Sequence, residues 1–140
     1  MTVARWSAYR LRRRVNFYEL DPAGIVHFSW FFRYMEEAEH AMWREAGASI
    51  TPQGAGSAYP RVAATFDYHS PLRFEDEFEV TIRIVAIGTK SIRYECVVSR
   101  GDTRIATGGM TVVAVARQGD GSMKAVPIPP EIAARFEVSK

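Results

Sequence analysis

The chain holds a single cysteine, Cys96, so no disulfide can form within it and a metal site built on two or three thiolates is excluded. Histidine is nearly as scarce: His27, His40 and His69 would need carboxylate help to hold zinc, and no metal is expected. No apolar run reaches the roughly 18 residues that a membrane-spanning helix needs. The opening stretch is also too charged for a signal peptide, because Arg10, Arg12, Arg13 and Arg14 interrupt it. An excess of one charge is missing too. Lys and Arg number 18 against 16 Asp and Glu, a net +2, and no stacking motif accompanies the arginines, so nucleic acid is not an expected partner. Together these absences point to a reduced, cytoplasmic protein.

What remains is an ordinary globular balance, 47% hydrophobic and 24% charged residues in 140 positions, enough for a single domain over 1–140. No repeat, low-complexity tract or linker divides it. Residues 7–17 alternate, with Tyr9, Leu11, Arg13 and Val15 on one face and Arg10, Arg12, Arg14 and Asn16 on the other, which predicts a strand. Pro22 and Gly24 punctuate a turn over 18–24. A long helix is predicted over 28–46. At about 100° per residue, Phe31, Met35, Ala38 and Met42 share one face with Tyr34, Ala41 and Ala46 beside them. Arg33, Glu36, Glu37, His40 and Arg44 gather opposite, Phe32 and Trp43 widen the apolar arc, and Glu39 is the odd charge within it. Gly47 stops the helix, and 48–57 reads as a loop of small residues.

The period then changes to two. Strands are predicted over 59–68, 77–87, 91–100 and 103–116, with a break at Ser70-Pro71 and turns at 88–90 and 101–102. Gly108-Gly109 inside the last strand suggests a bulge or strong bend. Pro127, Pro129 and Pro130 lead into a short terminal helix. The later turns are too short for crossovers, so those strands are antiparallel. The expected class is α+β, one long helix wrapped by a curved antiparallel sheet.

The stretch from Tyr18 to Glu36, YELDPAGIVHFSWFFRYME, resembles the signature of the hotdog-fold acyl-coenzyme A thioesterases, most of all the 4-hydroxybenzoyl-CoA thioesterase group. The resemblance continues at Tyr68 to Val80, at Gly88 to Ser91 and at Val112 to Ala116, and so covers most of the chain. The Tol-Pal-associated thioesterases have a similar aspartate motif followed by a histidine at the slot that Phe28 fills here. In this chain the histidine, His27, comes one position earlier.

Thioester hydrolysis needs an oxygen that attacks, or that activates water, and donors for the carbonyl oxygen. Read on its own, Asp21 either caps an Asp-Pro-x-Gly turn or supplies that oxygen. The resemblance implies the second role, as nucleophile or general base. It also places the oxyanion donor at the Phe28 backbone N–H, near the positive end of the helix, with Gly24 and Ile25 shaping the approach. His27 beside that position would touch substrate or tune Asp21. Of the aromatic residues crowding the helix start, Trp30 and Phe31 are the candidates to line an acyl pocket, and the rest are core. Lys90, in the turn where the family contacts the nucleotide, and Arg93, with Arg100 as a further candidate, would hold the phosphates of coenzyme A. The expected partners are an acyl-CoA substrate and further copies of the chain, a dimer or tetramer with sites at the dimer interface. No separate cofactor is implied, since coenzyme A is part of the substrate. Two other readings remain on the same fold: an enoyl-thioester hydratase or dehydratase, and a non-catalytic acyl-CoA-binding dimer.

Overall fold

Alternating apolar residues fold the second half of the chain into antiparallel strands, and the heptad-like spacing before them folds into the helix they enclose. The computed structural model describes residues 4–50 and 57–140. In chain order the elements are β1 (Ala8–Arg14), a 3₁₀ turn (Phe17–Glu19), α1 (Trp30–Glu45), β2 (Ser57–Ala58), β3 (Arg61–Tyr68), β4 (Glu77–Ile87), β5 (Ser91–Arg100), β6 (Thr103–Val113), β7 (Val115–Arg117), β8 (Met123–Ala125) and α2 (Pro130–Ala133). The main sheet has the order β1-β4-β5-β6-β3, antiparallel throughout. A second sheet, β2-β7-β8, sits beside it. Among the described residues no helix is long and apolar enough to cross a membrane.

The core lies between α1 and the inner face of the main sheet. Phe78, Val80, Ile82 and Ile84 of β4 and Ile92, Tyr94, Cys96 and Val98 of β5 are buried there. Facing them are Phe31, Tyr34, Met35, Ala38, Met42 and Trp43 of α1. Each large apolar side chain in this layer stabilises the fold by about 1.5–3 kcal/mol. Burial pushes the Cys96 thiol up to about 12, so it packs as an inert, protonated side chain.

Several boundaries differ from the sequence expectation, each for a physical reason. The first strand stops at Arg14, because the chain turns into the 3₁₀ segment, closed by Glu19 bonding back to the Asn16 amide (2.9 Å). The helix begins at Trp30 rather than at residue 28. Of the loop predicted over 48–57, residues 51–56 lie outside the described residues, while Ser57 and Ala58 pair with β7. The strand expected over 103–116 is two strands. Beyond Val113, which pairs with the first residue of β5, the main sheet has no partner left. The Ala114 amide turns to the Lys90 carbonyl (2.8 Å), and β7 enters the smaller sheet.

Gly108-Gly109 is not a bulge. The pairing runs unshifted through both residues on either side. The glycines serve close approach instead. A Cβ on Gly108 would lie 2.1 Å from the Thr65 carbonyl oxygen and 2.8 Å from the Phe66 ring, and one on Gly109 would lie 2.5 Å from the Tyr94 carbonyl oxygen. Phe66 covers Gly108 across the strand pair, which compensates for the missing side chain.

Glu39, the odd charge on the apolar arc, is completely buried. Its Oε1 accepts from Arg61 Nη2 of β3 and lies 3.7 Å from His40 Nε2, while its Oε2 has no hydrogen-bond partner among the described residues. The Tyr94 hydroxyl, which accepts from Trp43 Nε1 (3.1 Å), adds to this buried polar cluster. Burial raises the Glu39 pKa above its ordinary 4.5, more than Arg61 lowers it. The folded state therefore holds this proton more tightly than the unfolded chain does, and stability from this group declines as pH rises above 4.5. Glu39→Gln is expected to flatten that decline, which urea unfolding at stepped pH measures; equal slopes for the two proteins would contradict it.

Candidate active site

The segment leading into α1 is a three-residue hairpin loop. Leu20 bridges Val26, the Asp21 amide donates to the Ile25 carbonyl (2.7 Å) and the Gly24 amide to the Asp21 carbonyl (3.0 Å). Asp, Pro and Gly stand where such a loop wants them. Asp21 opens the turn, Pro22 presets its backbone, and Gly24 takes the left-handed conformation at φ 81° that closes it. The hairpin is tied to the chain after β3 by Val26 N–H to the Leu72 carbonyl (2.8 Å) and by a bridge from Ile25 to Arg73.

The geometry bears out the turn-bracing reading of Asp21 and leaves its second oxygen available. Oδ1 accepts from the Ala23 amide (2.8 Å) and more loosely from Ile25 (3.4 Å), so the residue does brace its own turn. Oδ2 receives no hydrogen bond from the described residues, and the half-buried side chain borders a cavity of about 380 Å³. The walls are largely apolar: Ile25, Val26, Phe28, Phe31 and Leu72, completed by Tyr68, His69, Ser70 and Pro71. The Phe28 amide donates to no acceptor among the described residues, and Phe28 sits two residues before the first residue of α1. Its carbonyl accepts from the Tyr68 hydroxyl (3.0 Å), which ties the helix start to the end of β3. A carboxylate oxygen without a donor and an amide without an acceptor, both among the described residues, therefore belong to two residues that line one largely apolar cavity.

The other sequence candidates separate into two groups. Ile25 and Phe31 line the cavity, Phe31 packing edge-on against Tyr68 with ring centres 5.2 Å apart. Gly24 does not line it; its contribution is the loop conformation. His27 stacks on Phe28 (4.5 Å) and its Nδ1 is engaged by the Ser29 amide (3.2 Å) and hydroxyl (2.8 Å). Accepting from that amide leaves the proton on Nε2. Trp30 lies outside the cavity, against Tyr18 (5.6 Å) with the Arg33 guanidinium over its ring (4.7 Å). Lys90 is exposed in the β4–β5 turn, and Arg93 stands on the outer face of the sheet in a cleft of about 310 Å³. Arg100 lies 3.6 Å from Asp76. None of these three lines the Asp21 cavity of the same chain.

Sequence reasoning passed over His69. It lines the cavity, its amide bonds to the Ile105 carbonyl (2.8 Å), and its Nε2 pairs with Thr107 Oγ1 of β6 (2.9 Å). The nearest signal was the Ser70-Pro71 break, which marks where β3 ends and the wall begins.

A family model described as the thioesterase-like superfamily matches residues 15–136. A protein of Aquifex aeolicus named "Putative esterase" is 34% identical over 96 residues, 68% of this chain and 75% of that protein. A 1,4-dihydroxy-2-naphthoyl-CoA hydrolase of Synechococcus elongatus is 28% identical over 102 residues, 71% of this chain and 75% of that protein. Among solved structures, a hypothetical protein from Aquifex aeolicus superimposes with a TM-score of 0.85 at 30% identity, covering 92% of this chain and 99% of its own. The chain belongs to the thioesterase-like superfamily, and it is a thioester hydrolase built on the hotdog fold.

Proposed function

We propose that the chain hydrolyses an aryl acyl-coenzyme A thioester to the free acid and coenzyme A. One observation carries this reading: Asp21, one of whose oxygens receives no hydrogen bond from the described residues, lines the same apolar cavity as Phe28, whose amide has no acceptor among them. The acyl carbonyl oxygen points to the Phe28 N–H, where the helix start favours developing negative charge. Asp21 either attacks the acyl carbon or takes a proton from a water that does. The C–S bond breaks, and coenzyme A leaves as a thiolate that is stable enough to need little help. Ile25 and Phe31 hold the acyl group and Gly24 sets the loop, while His27 and Trp30, which stand outside the cavity walls, meet the rest of the substrate. An aryl group suits walls that include Phe28, Phe31 and Tyr68, and a relative bears the name of a naphthoyl-CoA hydrolase.

The phosphates of coenzyme A fall to Lys90 and Arg93, reached across a subunit boundary. In this reading two copies join through the free edge of β3, whose Val62 is 61% exposed, with sites at that interface, and the dimers pair into a tetramer. The lone buried thiol suits the cytoplasm. Coenzyme A enters as substrate, with no further cofactor.

Thiol release from benzoyl, phenylacetyl and straight-chain acyl-CoA esters tests the activity, with the aryl esters expected to turn over fastest. Hydration of an enoyl-CoA without thiol release would replace this reading with a hydratase, and binding without turnover would leave a carrier. Lys90→Ala is expected to raise KM while kcat stays, because a phosphate anchor binds ground and transition states alike. An unchanged KM would remove Lys90 from the site.

A further inference from the structure

Two residues before Asp21 lies Glu19, a carboxylate with no accessible surface. Buried charge is costly, and this one is satisfied from three separate elements. Its Oε2 accepts from Arg13 Nη1 of β1 (2.7 Å). Its Oε1 accepts from the Tyr34 hydroxyl of α1 (2.9 Å) and from the Asn16 amide (2.9 Å). Its own carbonyl accepts from the His27 amide (2.8 Å), which closes the base of the Asp21 hairpin. Arg13 is held in turn: it grips Glu37 of α1 through Nε (2.6 Å) and Nη2 (3.1 Å), and its guanidinium lies over the Tyr34 ring (4.6 Å). Burial works against the Arg13 charge, but the bonds and attraction of Glu37 and Glu19 outweigh it and raise its pKa.

We infer that Glu19 is a positioning residue for Asp21. The argument is mechanical. The hairpin hangs from Glu19 and Leu20 on one side and from Val26 and His27 on the other. Tyr34 stands four residues, one turn, beyond Trp30 at the start of α1. The Tyr34–Glu19 bond therefore fixes the base of the hairpin against the helix whose first turn adjoins Phe28. This carboxylate is the side-chain tie between the hairpin and α1, and through it the helix bears on the spacing between the Asp21 oxygen and the Phe28 amide, an attacking group and an oxyanion donor. Glu37 belongs to the same cluster but among the described residues bonds only to Arg13, so it stabilises the cluster without holding the hairpin.

This inference rests on the catalytic reading of Asp21, and the experiment separates the two. Thiol release and thermal unfolding are measured for Glu19→Gln, Tyr34→Phe, Glu37→Gln and Asp21→Asn, with an acyl-CoA that the wild type hydrolyses. Misplacing a reacting group by about 1 Å costs about 100-fold in rate, so Glu19→Gln is expected to lower kcat by about that factor with KM unchanged. Tyr34→Phe, which removes one hydroxyl, gives a smaller fall in the same direction with the fold intact. Glu37→Gln loses thermal stability, and its kcat stays near that of the wild type. If Glu19→Gln does not fold, Tyr34→Phe against Glu37→Gln decides. Should Glu19→Gln or Tyr34→Phe lose no more kcat than Glu37→Gln while Asp21→Asn is inactive, the positioning role is wrong and the catalytic reading stands. Full activity in Asp21→Asn would overturn both.

Discussion

Asp21→Asn is expected to lower kcat by about 1,000-fold while the oligomer, the thermal unfolding temperature and KM stay as in the wild type. The separation follows from how the side chain divides its two oxygens. Oδ1 braces the turn through the Ala23 and Ile25 amides, and an asparagine carbonyl oxygen accepts those bonds equally well. Oδ2, the oxygen without a donor, becomes an amide nitrogen that neither attacks a thioester nor takes a proton from water. A purely turn-bracing residue would leave thiol release untouched, so a variant within tenfold of the wild type would sink the catalytic assignment. Asp21→Ala is the informative companion. It also removes the brace, and is expected to be both inactive and less stable by about 1 kcal/mol. After a single turnover in ¹⁸O-labelled water, label in Asp21 establishes attack by Asp21 and hydrolysis of the mixed anhydride at the aspartyl carbon. Label in the released acid alone fits direct attack by water or an anhydride opened at the acyl carbon, and trapping the anhydride with hydroxylamine then tells those two apart.

The elements legible in the sequence are those decided by local periodicity. Phe31, Met35, Ala38 and Met42 recur at helical spacing because one stripe of α1 faces the sheet, and all four are buried. Phe78, Val80, Ile82 and Ile84 alternate because β4 has one inner face. The hairpin before α1 is legible for a different reason, since Asp, Pro and Gly answer to backbone angles fixed within three residues. Illegible were features whose partners lie far along the chain. Met123–Ala125 has no buried side chain and is a strand only because β7 offers an edge. Glu19 reads as one more polar residue in a turn until Arg13 and Tyr34 close over it. His69 becomes a cavity residue only when β3 lies beside β6. The phosphate candidates are the reverse case: Lys90 and Arg93 are conspicuous in the sequence and line no wall of the Asp21 cavity within one chain.

Gly108→Ala is expected to destabilise the fold by about 3 kcal/mol, the upper range for overpacking a filled interior. For a chain of this size that lowers the unfolding temperature by about 10 °C. One methyl group has this leverage because of what it would strike. Its nearest neighbour, at 2.1 Å, is the Thr65 carbonyl oxygen, part of the β3 backbone, which cannot step aside as a flexible side chain can. The Phe66 ring, at 2.8 Å, is held against Phe32 (5.2 Å) and Phe31 (5.9 Å) and has little freedom to yield. Relief therefore requires β3 to lift from β6. That movement carries Tyr68 and His69 with it, and with them the bond from the Tyr68 hydroxyl to the Phe28 carbonyl. Activity falls together with stability, and it falls further than in a variant equally destabilised elsewhere. Gly119→Ala is the control, because its new methyl meets nothing within 4 Å and its backbone is not in the left-handed region; that variant is expected to unfold at or slightly above the wild-type temperature. An unfolding temperature for Gly108→Ala indistinguishable from that of Gly119→Ala would mean that the two strands tolerate separation at this point, and that the double glycine is not what lets the sheet close over the helix.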